Sequence, residues 1–197
     1  MFFRYSFGLF LRPRLTFRAL LGDHRRVGFG ILGILALAII YFISISIALE
    51  MNAMHLPQLL VLNIPPDQYY AYERFFIFPV GLAGTVLASG AIRLGARAWE
   101  GKGQFEDLFA LLSFSLVEVA IVIGIPDLFL GILIGFGKVN SRGFAYIGPH
   151  VWLGTIWYLF LLIIAVKETE RLGVAKSLTL GLMGFIVNGV VQFIFIR

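Results

Sequence analysis

The sequence predicts an all-α integral membrane protein, a bundle of five transmembrane helices preceded by an N-terminal interfacial amphipathic segment. Three observations carry that expectation. Of 197 residues, 59% are hydrophobic, and the mean hydropathy is +0.92. The run from Val27 to Leu49 contains no charged residue, and at about 1.5 Å per residue a helix of that length crosses a hydrocarbon core of roughly 30 Å. Comparable apolar stretches recur within 75–97, 107–136, 146–166 and 176–196. The chain therefore divides into a basic, aromatic segment over 1–26 and a five-helix membrane domain over 27–197.

In the first segment Phe3, Phe7, Phe10 and Leu11 follow helical spacing, and Arg14, Arg18 and Arg25 recur near one face after Pro13. Such a pattern suits a helix lying in the membrane interface. Arg12, Arg14, Arg18, Arg25 and Arg26 become candidates for contact with anionic lipid headgroups. A plain lead-in helix that positions the first span accounts for the same residues, since basic and aromatic residues gather at membrane boundaries anyway. The apolar run after Arg26 exceeds the usual signal-peptide core and has no small-residue cleavage site behind it, so the first span is expected to be retained.

Lys and Arg alternate in density between the spans. Arg4 to Arg26 precede the first span, Arg93, Arg97 and Lys102 follow the second, and Lys167, Arg171 and Lys176 follow the fourth, while the loop from Met51 to Arg74 has a single basic residue. By the positive-inside rule these three clusters share the cytoplasmic side, with the N-terminus inside and Arg197 outside. The compartment expected is a prokaryotic cytoplasmic (inner) membrane. A net charge of +5 then reflects topology and anionic lipids, and nucleic acid is not an expected partner.

The third span is too long. Residues 107–136 as one straight helix would measure roughly 45 Å, so a kink or tilt is required. Pro126 lacks a backbone donor and Gly124 beside it lowers the cost of bending, which places the irregularity at Gly124 to Asp127.

Glu118 is the most pointed polar residue, because a carboxylate in hydrocarbon needs a partner, water or a proton. Reckoned from the cytoplasmic ends, Glu118, Thr155, Asn188, Thr85 and Tyr41 all lie roughly 20 Å deep. That layer fits either an ion or headgroup path or an internal hydrogen-bond cluster that fixes helix register. Equal depth predicts that the third and fifth spans are neighbours, with Glu118 within direct or one-water reach of Asn188, and Thr155 or Thr85 next. Asp127 is a second ionisable candidate, although donors freed by the kink could satisfy it. Gly131 and Gly135, Gly81 and Gly84, and Gly181 and Gly184 suit close helix packing.

No catalytic residue, metal site or cofactor is expected. The chain has no Cys, His24, His55 and His150 are scattered, and metalloprotease, nucleophile-elbow and Walker patterns are missing.

Several segments together resemble the Yip family, named for Ypt/Rab-GTPase-interacting proteins, in its compact prokaryotic form. Arg12-Pro13-Arg14-Leu15-Thr16-Phe17-Arg18-Ala19-Leu20-Leu21 resembles the family's Pro-x-x-x-Phe-x-x-Leu approach to the first span. Phe105-Glu106-Asp107-Leu108-Phe109 with Ile125-Pro126 resembles its third helix. Ile156-Trp157, Val166-Lys167-Glu168 and Ala175-Lys176-Ser177-Leu178 resemble its closing pair. The resemblance implies a five-helix bundle and a non-enzymatic membrane organiser, adaptor or lipid-associated scaffold. Rab binding does not follow, because Pro126-Asp127-Leu128-Phe129-Leu130 lacks the Tyr and Gly-Pro of the eukaryotic Asp-Leu-Tyr-Gly-Pro motif. Expected partners are anionic membrane lipids and a protein partner or second copy. The rival expectation is a small channel or transporter, for ions, protons with a co-substrate, or lipid, built on the layer around Glu118.

Overall fold

A computed structural model of the chain describes residues 1–51, 61–138 and 148–196. The first two helices form a hairpin. Helix α1 (Phe2–Leu11) closes where the Arg12 N–H donates to the Gly8 carbonyl at 2.8 Å, and α2 (Pro13–Leu21) opens on Pro13. Proline suits that first helical position, where its missing N–H leaves no bond unmade. Leu9, Phe17 and Leu20 are fully buried, and Phe2 sets its ring edge-on to Phe114 at 5.4 Å.

Among the described residues, five helical segments that follow are long and apolar enough to cross a membrane: α3 (Arg26–Glu50), α4 (Tyr69–Arg97), the composite Phe105–Gly135, α7 (Pro149–Glu170) and α8 (Val174–Phe195). The composite consists of α5 (Phe105–Val119), a π-helical turn (Ala120–Gly124) and α6 (Ile125–Gly135). Pro126 would collide with the carbonyl four residues earlier in a regular helix, and a widened turn removes that conflict without ending the helix. The break therefore sits mostly one turn ahead of Gly124–Asp127.

Helix α4 starts at Tyr69, ahead of the expected position 75, and runs through Pro79. Glu73 and Arg74 extend the helix because α3 supplies their partners: the Tyr41 hydroxyl donates to Glu73, and Arg74 donates to the Ser46 hydroxyl at 3.2 Å. The stretch leading into α7 is described from Gly148 onward, so Tyr146 lies outside the described residues, as do His55 and the central part of the α3–α4 loop.

Helix α5 is the axis of the bundle, with every residue from Leu108 to Glu118 buried. It packs on α3, α7 and α4, while α8 packs on α4 and α7. Two glycines set the α3–α5 distance. A Cβ at Gly33 would meet the Ser113 carbonyl oxygen at 2.6 Å, and one at Gly30 the Ala110 carbonyl oxygen at 2.9 Å. Around this axis Leu153, Ile156, Ile186 and Val190 project outward and stay exposed, as lipid-facing side chains do in a bilayer.

Candidate functional site

The five long helices do not close completely on one another. A cavity of about 440 Å³ lies among them and touches all five, with Tyr41 from α3, Ile77 from α4, Leu116 and Asp127 from the third span, Thr155 and Tyr158 from α7, and Asn188 and Gln192 from α8 in its wall. Most of the wall is apolar. Its polar groups come from Tyr41, Asp127, Thr155, Tyr158, Asn188 and Gln192.

Three of the five residues expected from depth, Tyr41, Thr155 and Asn188, thus share one cavity with Asp127, the ionisable candidate expected at the kink. Asp127 Oδ1 lies 2.8 Å from His150 Nε2 on the first turn of α7. Because the π turn widens the helix, Asp127 emerges facing α7, and a neighbouring side chain satisfies it in place of freed backbone donors. Tyr41 is engaged by Glu73, which is wholly buried. Asn188 Nδ2 donates to the Tyr158 hydroxyl at 3.2 Å.

The other two stand apart. Thr85 is buried and donates to the Gly81 carbonyl of its own helix at 2.7 Å, so its polarity is spent locally. Glu118 is only 1% exposed, yet neither carboxylate oxygen has a hydrogen-bond partner among the described residues. No direct hydrogen bond joins Glu118 to Asn188. Helices α5 and α8 sit across the bundle from each other with α4 and α7 between them, and Tyr158 on α7 takes the Asn188 donor. Depth puts two residues level, while azimuth decides whether they meet.

A second set of polar contacts gathers where the basic segments converge. Glu170, only 1% exposed, accepts Arg93 Nη1 at 2.8 Å and the Gly103 N–H at 2.9 Å, both on Oε2. The Lys102 N–H donates to the Glu170 carbonyl at 3.2 Å, so one residue at the end of α7 clamps the α4–α5 turn. Arg14 and Arg18, one helical turn apart on α2, each donate Nε to Glu168 at 2.5 Å. Arg26 donates to Asp107 at 2.5 Å across α3 and α5.

Arg25 caps the α2–α3 turn: its backbone N–H donates to Asp23 Oδ1 at 2.9 Å, with its guanidinium beside the same carboxylate. That N–H, then the Arg25 side chain, holds the Asp23 carboxyl below its ordinary value. Burial, followed by the Asp23 charge, pushes the nearby Tyr5 phenol up. Of the five arginines expected to meet lipid headgroups, Arg14, Arg18, Arg25 and Arg26 each carry a carboxylate partner, and Arg12 sits exposed at the hairpin corner.

Reading residues singly missed Glu73, Glu168, Glu170 and His150 as members of these sites. Their available signal was an opposite charge or hydroxyl on a neighbouring span at matching depth, and only packing identifies the neighbours. No group of three or more His, Asp or Glu suited to a metal ion occurs among the described residues.

Comparisons with curated proteins and with solved structures return no match. The family model for the Yip1 domain, in contrast, matches residues 7–196, from the middle of α1 through all five long helices, and the chain therefore belongs to the Yip1 domain family of membrane proteins.

Proposed function

We propose that this protein is a non-enzymatic membrane organiser, a lipid-associated scaffold or adaptor whose working part is the α1–α2 hairpin. One observation carries the reading. The hairpin is anchored to the bundle through Leu9, Phe17 and Leu20, yet it turns Phe3, Phe7, Leu11 and Leu15 outward, Phe3 being 85% exposed and Phe7 68%. An apolar edge bordered by arginines and held rigidly at one end of a membrane bundle is suited to lie in the headgroup layer of one leaflet and spread it. The positive-inside rule makes that leaflet the cytoplasmic one, with the C-terminus outside, in a prokaryotic inner membrane.

The test is reconstitution into vesicles of phosphatidylcholine and phosphatidylglycerol, with diameters measured by electron cryomicroscopy. Wild type should shift the size distribution, and Phe3→Ser combined with Phe7→Ser and Leu11→Ser should not. Equal distributions for both proteins at equal loading would overturn the reading.

The intramembrane cavity favours a second reading, a small channel or transporter. On that reading the ionisable role falls to Asp127, which lines the cavity and pairs with His150, and not to Glu118, which does not line it. In proteoliposomes Asp127→Asn should then abolish a pH-driven flux, whereas Glu118→Gln should change thermal stability alone. A flux lost with Glu118→Gln and kept with Asp127→Asn would refute that assignment.

A further inference from the structure

A cup of about 520 Å³ opens between α2 and the end of α7, lined by Arg14, Arg18, Leu21, Lys167, Glu168, Arg171 and Leu172. Four cations surround one carboxylate. Arg14 and Arg18 are four residues apart on α2, as are Lys167 and Arg171 on α7 and its left-handed cap residue. Like charges at that spacing repel, so each helix carries an unfavourable pair, and the two pairs converge on the same space. Glu168, with its side chain 6% exposed, relieves only part of the repulsion.

Glu168 also orients the donors. Each arginine offers it Nε alone, which turns both guanidinium forks and leaves their Nη groups without a partner among the described residues. Lys167 and Arg171 have no ion pair there either. The C-terminal dipole of α7 contributes roughly half a negative charge, well short of the excess. Planar forks with unoccupied donors beside an ammonium group match the oxygens of a phosphate. Leu21 and Leu172 add an apolar flank beside that charge.

We propose that this cup binds a phosphate group, that of an anionic phospholipid headgroup, with Lys167 and Arg171 as direct contacts and Glu168 as the residue that positions Arg14 and Arg18. The lipid source rests on the reading that the α1–α2 hairpin lies in the headgroup layer. The cup itself does not, since any phosphate ester shares the chemistry.

The experiment uses the full chain in nanodiscs of phosphatidylcholine, alone or with a minor fraction of phosphatidic acid, and in detergent micelles with inorganic phosphate. Retained lipid is counted by native mass spectrometry and melting temperature is followed in parallel. Wild type should retain phosphatidic acid and melt higher with it, and K167Q with R171Q should weaken retention roughly tenfold or more. Neither replaced side chain takes part in an ion pair among the described residues, and the change removes two mutually repelling charges, so the variant's melting temperature in phosphatidylcholine alone should equal or exceed that of wild type. The charge-keeping K167R with R171K should restore retention.

Equal retention by wild type and K167Q with R171Q would overturn the cup. So would an equal loss in R12Q, outside the cup, because the basic surface would then act diffusely. Inorganic phosphate in micelles raising the melting temperature as much as phosphatidic acid would overturn the lipid source and point to a soluble phosphate ester. The vesicle-size variants at Phe3, Phe7 and Leu11 leave the cup intact, so the hairpin reading and the cup fail separately.

Discussion

Gly33→Ala tests whether α5 is the axis on which the bundle is built. The added Cβ would lie 2.6 Å from the Ser113 carbonyl oxygen and 3.1 Å from Phe114 Cα, both backbone atoms that no rotamer change can move. Restoring ordinary contact at 3.4 Å requires α3 and α5 to part locally by about 0.8 Å. Overpacking on that scale costs about 1–3 kcal/mol. Alanine also gains up to about 1 kcal/mol of helix propensity over glycine, which masks part of the effect in a single variant. Gly28, on the same helix, has nothing within 4 Å of its Cβ position, so Gly28→Ala carries the gain without the clash. The difference between the two variants isolates the packing term. At roughly 2–4 °C per kcal/mol for a chain of this size, Gly33→Ala should melt a few degrees or more below Gly28→Ala in the same detergent. Equal melting temperatures would mean that α3 and α5 do not meet at this face, and the account of the core would fall.

Arg93→Gln leaves the Glu170 carboxylate buried with only the Gly103 N–H on Oε2 and should cost about 3–5 kcal/mol; a melting curve within error of wild type would refute the clamp. Reporter fusions at Gly101 and Leu172 should be active on the cytoplasmic side, and fusions at Gln58 and Asn140, which lie outside the described residues, on the opposite side. Asp23 supplies a pH dependence with a definite sign. Its folded carboxyl titrates below its ordinary value, so its stabilising contribution is complete above the unfolded value of about 3.9 and is lost as pH falls from there through the lower folded value. In Asp23→Asn the melting temperature should fall less steeply between neutral pH and about pH 3, and an unchanged slope would contradict the Arg25 contacts.

The architecture was legible because the bilayer imposes a simple rule on composition. Charge-free runs marked α3 and α8, and Pro126 marked the irregular third span. The family-bearing residues fall at structural junctions: Pro13 opens α2, Phe17 is fully buried, Glu106 and Asp107 occupy the first turn of α5, and Ala175 opens α8 one residue in. The start of α4 was less legible, since Glu73 and Arg74 look like the end of a span until Tyr41 and Ser46 are seen to receive them. For the site, rise per residue placed Tyr41, Thr155 and Asn188 at a common depth, and Asp127 joined the same cavity by way of the π turn. Rotation about each helix was hidden, which is why Glu118 was paired with Asn188 and why Tyr158 went unnoticed.

The clasp between α2 and Glu168 also bears on the order of assembly. Arg14 and Glu168 are 154 positions apart, and at about 5–20 residues per second synthesis takes roughly 8–30 s to get from one to the other. Through that interval the hairpin exists without its dock on α7, and Phe17 and Leu20 have to be sheltered by lipid, by the growing bundle or by a chaperone. Release of the hairpin from such a temporary host thus becomes a late event, timed by the arrival of the fourth span. A nascent chain arrested before α7 would present an unclasped, arginine-rich hairpin, giving a quality-control factor a means of telling unfinished molecules from finished ones.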